Sequence, residues 1–151
     1  MLYESDDDRK REHVFALEIE QRFTCKLHKL PYEWEFDYLI SRNELLTSIG
    51  EVKHRTHTKD QYPTVIFSEH KANKGFRFCN RTLVWSVSAS KFVPPKFIFF
   101  VQFVDGRMFC DLKEGEFNEF ERVKLSAKNH EEDPTDTEWV RYIPIELFKE
   151  F

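Results

Sequence analysis

Eight consecutive residues, Phe97-Ile98-Phe99-Phe100-Val101-Gln102-Phe103-Val104, constrain the fold more than any other stretch of this chain. Successive strand residues point to opposite sides of a sheet, so a strand apolar at both odd and even positions must be covered on both faces. Pro94-Pro95 breaks the chain before it. Asp105-Gly106 after it is a strong hairpin signal, with Arg107 to Leu112 as the return strand. The phenylalanines of this run read as core rather than as a platform for stacking bases. The sheet expected around them is mixed, with a leading helix and flanking helices, an α/β fold.

A second pair of strands carries the chemistry. Trp34, Phe36, Tyr38 and Ile40 alternate with Glu33, Glu35, Asp37 and Leu39, which is strand periodicity with Asp37 on the more polar side. A polar turn at Ser41-Arg42-Asn43 follows, and Leu45 to Lys53 returns. Residues i and i+2 of a strand share a face, so Glu51 and Lys53 project together with Val52 opposite. The hairpin thus brings the Asp37 and Glu51 carboxylates to one place. Two carboxylates can hold a hard divalent cation through oxygen, and a lysine beside it can position or help deprotonate a water. Hydrolysis of a phosphodiester needs those parts. Gly50 reads as a bulge or a position of close approach.

An Asp on one strand followed by Glu-x-Lys on the next resembles the PD-(D/E)xK nuclease superfamily, here as Asp37 and Glu51-Val52-Lys53. The surrounding wording is similar to that of small phage-encoded members. Lys29-Leu30-Pro31, Asp37-Tyr38, Gly50-Glu51-Val52-Lys53-His54-Arg55, Tyr62-Pro63-Thr64 and Lys71 occur in the expected order, over roughly residues 10 to 110. Phe36 stands where the motif's proline would be. The resemblance implies a restriction-endonuclease-like core and an Mg²⁺ site, with Mn²⁺ able to substitute. It implies that the Val52 carbonyl joins Asp37 and Glu51 as a metal ligand. It further implies a carboxylate from the first helix, for which Glu12 is the candidate and Glu18 the second choice. A helix after the Glu-x-Lys strand would present a basic side chain, Lys71.

The first helix is expected from about Asp8 to Phe23, started by Ser5-Asp6-Asp7-Asp8, whose acids complement the helix dipole. Phe15, Ile19 and Phe23 recur at helical spacing, Val14 and Leu17 widen the buried surface, and Glu12 lies on the same stripe. An acid there calls for a partner. Thr24 to Leu30 reads as a short strand closed by Pro31. His54 to Gln61 is a polar loop whose histidines read as solvated. For Asp60 to Asn80 the signals conflict. Asp60 as cap and Pro63 in a first turn favour a helix, while Thr64-Val65-Ile66-Phe67 favours a strand. The helix is preferred on the resemblance, and it would place Ser68, Lys71 and Lys74 near one face. Trp85 and Phe92 are expected core contacts. Residues 113 to 138 read as acidic and irregular, with Asn129 to Thr137 an exposed loop, Trp139 to Ile143 an edge strand, and Ile145 to Phe151 a closing helical turn packing Leu147 and Phe148.

The formal charge is −4, so there is no overall basic signature of a nucleic-acid binder. The charge is uneven. Lys53, Arg55, Lys59, Lys71, Lys74, Arg77 and Arg81 face only Asp60 and Glu69 between residues 53 and 81, which suits a local polyanion site. Arg55, Lys71, Lys74 and Arg77 are the candidate nucleic-acid contacts. Cys25, Cys79 and Cys110 are far apart and odd in number, which reads as buried free thiols rather than a disulfide framework or zinc site. No signal peptide and no apolar run of membrane-spanning length is found, so an intracellular protein is expected, in the host cytoplasm if phage-encoded. The expectation is one domain, with a core over about residues 10 to 112 and an acidic extension over 113 to 151. Its work would be Mg²⁺-dependent DNA cleavage, endonucleolytic, through Asp37, Glu51, Lys53 and Glu12. RNA stays open as a substrate, and a homodimer would suit symmetric DNA. The alternative is a nuclease fold without catalysis, binding nucleic acid or protein in phage replication or assembly.

Overall fold

The computed structural model describes residues 5–126 and 137–151. In chain order the elements are α1 (Asp6–Phe23), β1 (Lys26–Lys29), a 3-10 turn (Tyr32–Trp34), β2 (Tyr38–Arg42), β3 (Leu45–His54), β4 (Thr64–Ser68) and α2 (Glu69–Asn80). Then come β5 (Val84–Ser86), β6 (Lys91–Val93), β7 (Lys96–Phe103), β8 (Gly106–Leu112), α3 (Glu114–Phe117), β9 (Glu121–Ser126), β10 (Thr137–Pro144), a second 3-10 turn (Ile145–Leu147) and β11 (Lys149–Glu150).

The doubly apolar run is indeed a central strand. Among the described residues the main sheet has the order β1-β2-β3-β7-β8-β11. It is mixed: β3 and β7 are parallel, and the other neighbours are antiparallel. The crossover from β3 to β7 carries β4, α2 and the β5–β6 ribbon. On one face α1 buries Phe15, Ala16 and Ile19 against Tyr38, Ile40, Val52 and Phe100. On the other, α2 and the sheet β4-β10-β9 enclose Phe97, Phe99, Val101 and Phe103 together with Val65, Phe67, Phe76 and Ile143. Phe97 and Phe99 are fully buried. At roughly 1.5–3 kcal/mol for each large apolar side chain removed from water, this strand anchors both layers.

Local signals explain the helix ends. Ser5 caps α1, accepting from the Asp8 N–H while the Asp8 carboxylate accepts from the Ser5 N–H, a reciprocal capping box. Thr24 closes the helix in the left-handed region at φ 52°. Ser68 caps α2 and accepts from the Lys71 N–H at 3.3 Å. Gly75 lets α2 settle on β7, because a Cβ there would lie 2.0 Å from the Phe97 ring. Gly50 is also a site of close approach, with Ile40 Cδ1 at 3.1 Å from a notional Cβ.

Several expectations need correction. Residues 60–68 are not the first turns of a helix: Thr64 to Ser68 is a strand, because its β-branched and aromatic residues pair with β10, and the helix begins only after the Ser68 cap. The alternation from Trp34 does not form one strand. Tyr32–Trp34 is a 3-10 turn closed by Glu35 at φ 65°, and β2 starts at Tyr38. Its turn to β3 is Asn43-Glu44, both at positive φ, one residue later than expected. The β7–β8 turn is likewise displaced by one, since Phe103 pairs with Gly106. Val14 and Leu17 are exposed because α1 buries a narrower stripe. Trp85 and Phe92 are not core; they face each other across the β5–β6 ribbon at the surface. β10 is the middle strand of its sheet rather than an edge, and β9, in the stretch read as irregular, pairs with it. Phe148 is buried as expected, but Leu147 is exposed and the end of the chain is β11 rather than a full helical turn. The loop expected at Asn129 to Thr137 lies, apart from Thr137, outside the described residues.

Candidate active site

The strand register carries Asp37 and Glu51 to one end of the β2–β3 hairpin. Tyr38 pairs with Gly50, and the Asp37 N–H donates to the Gly50 carbonyl at 3.2 Å. Beyond that point β2 has no further ladder residue to offer. The Val52 N–H, two residues along and aimed at the same edge, donates instead to Asp37 Oδ2 at 2.9 Å. In an antiparallel pair the N–H and C=O of one residue face the same neighbour, so the Val52 carbonyl is directed to that edge as well. Asp37 thereby finishes the ladder with its side chain.

Glu51 is the only charged side chain fully removed from solvent among the described residues. It projects from β3 beneath α2. Its Oε1 accepts from Lys71 Nζ at 2.9 Å and lies 3.5 Å from Lys53 Nζ. Its Oε2 is buried with no hydrogen-bond partner among the described residues. Burial, and then the neighbouring Asp37 charge, push the Glu51 carboxyl above the ordinary carboxylate range against the pull of the two lysines. Burial lowers Lys53 from its ordinary value, with Glu51 opposing the shift. Burial works the same way on Lys71, but there the Glu51 charge and hydrogen bond prevail and the net shift is upward. The two lysines therefore differ: Lys53 is the readier to release a proton, and Lys71 the firmer cation.

Glu12 comes near the site by another route. Its carboxylate holds Lys29 Nζ at 3.0 and 3.1 Å, and Lys29 Nζ lies 3.7 Å from Asp37 Oδ1. Glu12 thus adjoins Asp37 through Lys29. Glu18 pairs with Arg107 at 2.6 Å. Arg55 follows β3 directly and donates from its guanidinium to the Ile66 carbonyl at 3.2 Å, near enough to Glu51 to feel its charge. Lys74 and Arg77 lie on α2 beyond Lys71, half-buried and exposed respectively. Lys29 is the residue that sequence reasoning passed over. It belongs to the Lys29-Leu30-Pro31 triplet, but only the β1–β2 register, which opposes Lys29 to Tyr38, carries it to Asp37.

Does this set suit a divalent cation? All the donors are oxygens, the ligand type that hard cations take. A buried carboxylate oxygen without a partner is the kind of group a cation would satisfy. No group of three or more His, Cys, Asp or Glu side chains converges among the described residues, so a cation here would rest on two carboxylates and the backbone. With the Val52 carbonyl at the same edge, the residues fit such an ion.

Comparison with known proteins agrees with the geometry. No curated protein and no solved structure matches the chain. One family model, described as "Phage putative PDDEXK endonuclease", matches residues 1–151. The mixed six-stranded sheet flanked by helices is consistent with a restriction-endonuclease-like fold. No helix among the described residues is long and apolar enough to cross a membrane. With the whole chain matched, and with Asp37, Glu51 and Lys53 gathered at one hairpin end, this chain belongs to the phage PDDEXK endonuclease family.

Proposed function

We propose that the chain cleaves DNA internally by Mg²⁺-dependent hydrolysis of phosphodiester bonds. The observation that carries this reading is the fully buried Glu51 carboxylate, one oxygen without a partner, set beside Asp37 and two lysines. Burying a charge in that state is costly, and a fold maintains it where a ligand completes it. Asp37, Glu51 and the Val52 carbonyl would hold Mg²⁺, or Mn²⁺ in its place, supplying positive charge at the scissile phosphate and making a water more acidic.

The chain's own groups do the rest. Lys53, its ammonium 3.5 Å from Glu51 and its pKa lowered by burial, orients the attacking water and can accept its proton. Lys71 stays charged and faces the negative charge that grows on the phosphate, the term from which phosphoryl transfer gains most. Glu12 acts through Lys29 to position Asp37. Arg55, Lys74 and Arg77 bind flanking phosphates.

The test is a cleavage assay with supercoiled, linear, single-stranded and branched DNA, and with RNA, in EDTA, Mg²⁺, Mn²⁺ or Ca²⁺. Wild type should cut with Mg²⁺ or Mn²⁺ and not in EDTA. Lys53→Ala, with its fold checked by circular dichroism, should lose roughly 10²–10⁴-fold in rate, the usual worth of a positioned proton-transfer group. Cutting by Lys53→Ala at the wild-type rate would sink the assignment.

A further inference from the structure

We propose that the β5–β6 hairpin is a base-stacking element that directs the active site to nucleic acid with unpaired bases. This inference rests on the nuclease reading of Asp37, Glu51 and Lys53.

The hairpin is a separate two-stranded ribbon. Trp85 and Phe92 are cross-strand partners with ring centroids 5.2 Å apart and planes at 72°. Their exposures are 43% and 63%, with Leu83 at 66% and Val87 at 79% nearby. Phe92 is the only exposed phenylalanine among the described residues, and with Trp85 it leaves an apolar pair in water on a short ribbon, which marks an interaction site.

Charge says what the cluster meets. Between Glu69 and Asp105 there is no acidic residue, whereas Lys71, Lys74, Arg77, Arg81, Lys91 and Lys96 all fall there, in a chain whose formal charge is −4. Lys71, Lys74 and Arg77 recur three residues apart along α2, the spacing of neighbours on a helix surface, and Arg81 is its C-cap. That stripe runs from Lys71, which touches Glu51, to the end of α2, where the chain enters the hairpin. At its far end Glu114 accepts from Asn80 Nδ2 at 3.0 Å. A second exposed aromatic, Trp34, sits edge-on to Phe78 of α2 with centroids 6.4 Å apart.

Distance fits as well. Lys96, three residues past the hairpin's last strand residue Val93, pairs with Ser48, and Phe99 pairs with Glu51, so the chain leaving the hairpin enters β7 three strand residues, ~10 Å, from the level of Glu51. A backbone crossing Lys71, Lys74 and Arg77 would deliver its bases to Trp85 and Phe92. Inside a duplex those base faces are covered by their neighbours; in a single strand, flap or junction they are free to stack. A second copy of the chain suits the patch poorly, because self-association there would press two cation-rich surfaces together.

The test uses the full-length Lys53→Ala protein and fluorescence anisotropy, with a blunt duplex and the same duplex bearing a single-stranded flap. The flapped DNA should bind more tightly, and 2-aminopurine in the flap should be quenched on binding. Trp85→Ala/Phe92→Ala should lose about tenfold or more in flap affinity, the usual scale of lost base–aromatic stacking, with little change for the duplex. Phe92→Ala alone should lose part of it. Equal losses on both DNAs, no loss on either, or no quenching with the unsubstituted hairpin would overturn the proposal. So would sedimentation showing that the double variant breaks a dimer. Failure of wild type to cut any DNA would count against the nuclease reading and leave the flap preference separately measured.

Discussion

Replacing Glu51 by Gln should make the metal-free protein more stable. Glu51 is fully buried, one oxygen has no hydrogen-bond partner, and Asp37 adds a second negative charge nearby. Its carboxyl is raised above the ordinary range even though Lys53 and Lys71 favour the charged form, so desolvation outweighs their attraction. The amide of Gln removes the buried charge and keeps an oxygen for Lys71 to donate to. Against this, the ionic part of the Lys71 contact is lost, though both lysines retain enough exposure to be hydrated. The Gln amide nitrogen inherits the unpartnered position of Oε2, so the gain comes from the charge alone: its desolvation less the weakened lysine contact, roughly 1–2 kcal/mol. For a chain of this size that is ~2–4 °C in melting temperature per kcal/mol. The pH dependence carries a sign. With its pKa raised on folding, Glu51 binds more proton in the folded than in the unfolded state between its ordinary value of 4.5 and the raised one. Wild-type stability therefore falls as pH rises through that window, and the Gln variant lacks this component. Thermal melts of both proteins in EDTA across acidic pH read the difference, since apart from the groups that Glu51 itself perturbs, Lys53 and Lys71 foremost, the titrating groups are common to the two. Added Mg²⁺ should then raise the wild-type melting temperature with concentration and leave the variant unmoved. A Gln variant that melts below wild type at neutral pH in EDTA, or shows the same pH slope, would refute the argument.

Asp37→Asn should abolish cleavage yet change stability by less than about 1 kcal/mol in chemical denaturation, because the amide oxygen can still accept from the Val52 N–H, whereas Asp37→Ala strands that N–H and should cost roughly 1–2 kcal/mol. Gly75→Ala should destabilise by about 1–2 kcal/mol in urea, since the Cβ would lie 2.0 Å from the packed Phe97 ring and overpacking outweighs the alanine's helix preference. It should also slow cleavage, because Lys71 is one turn away on the same helix.

What could be read from the sequence divides by the range of the interactions that decide it. The β3 strand with its shared Glu51 and Lys53 face and the doubly apolar β7 depend on patterns within a few residues, and both strands are as expected. The capped start of α1 is local too. Thr64 to Ser68 was ambiguous because Asp60 and Pro63 are plausible helix openers, and only pairing with β10, more than seventy residues later, decides for a strand. The exposure of Trp85 and Phe92 had no local sign at all: an aromatic on a short strand looks the same whether a layer covers it or not.

The same division runs through the site. Asp37, Glu51 and Lys53 are placed by one hairpin, so their meeting follows from strand period and register. Lys71 and Lys29 arrive from elsewhere. Lys71 reaches Glu51 because Gly75 lets α2 lie close on Phe97, and Lys29 reaches Asp37 because β1 pairs along β2 with Lys29 opposite Tyr38. These two cations reach the carboxylates from different elements, the covering helix α2 and the edge strand β1. A change in the packing of either should therefore alter the charge balance at the site without touching the hairpin that carries the motif. The motif names the residues; the packing of α2 and β1 sets how strongly they want a cation.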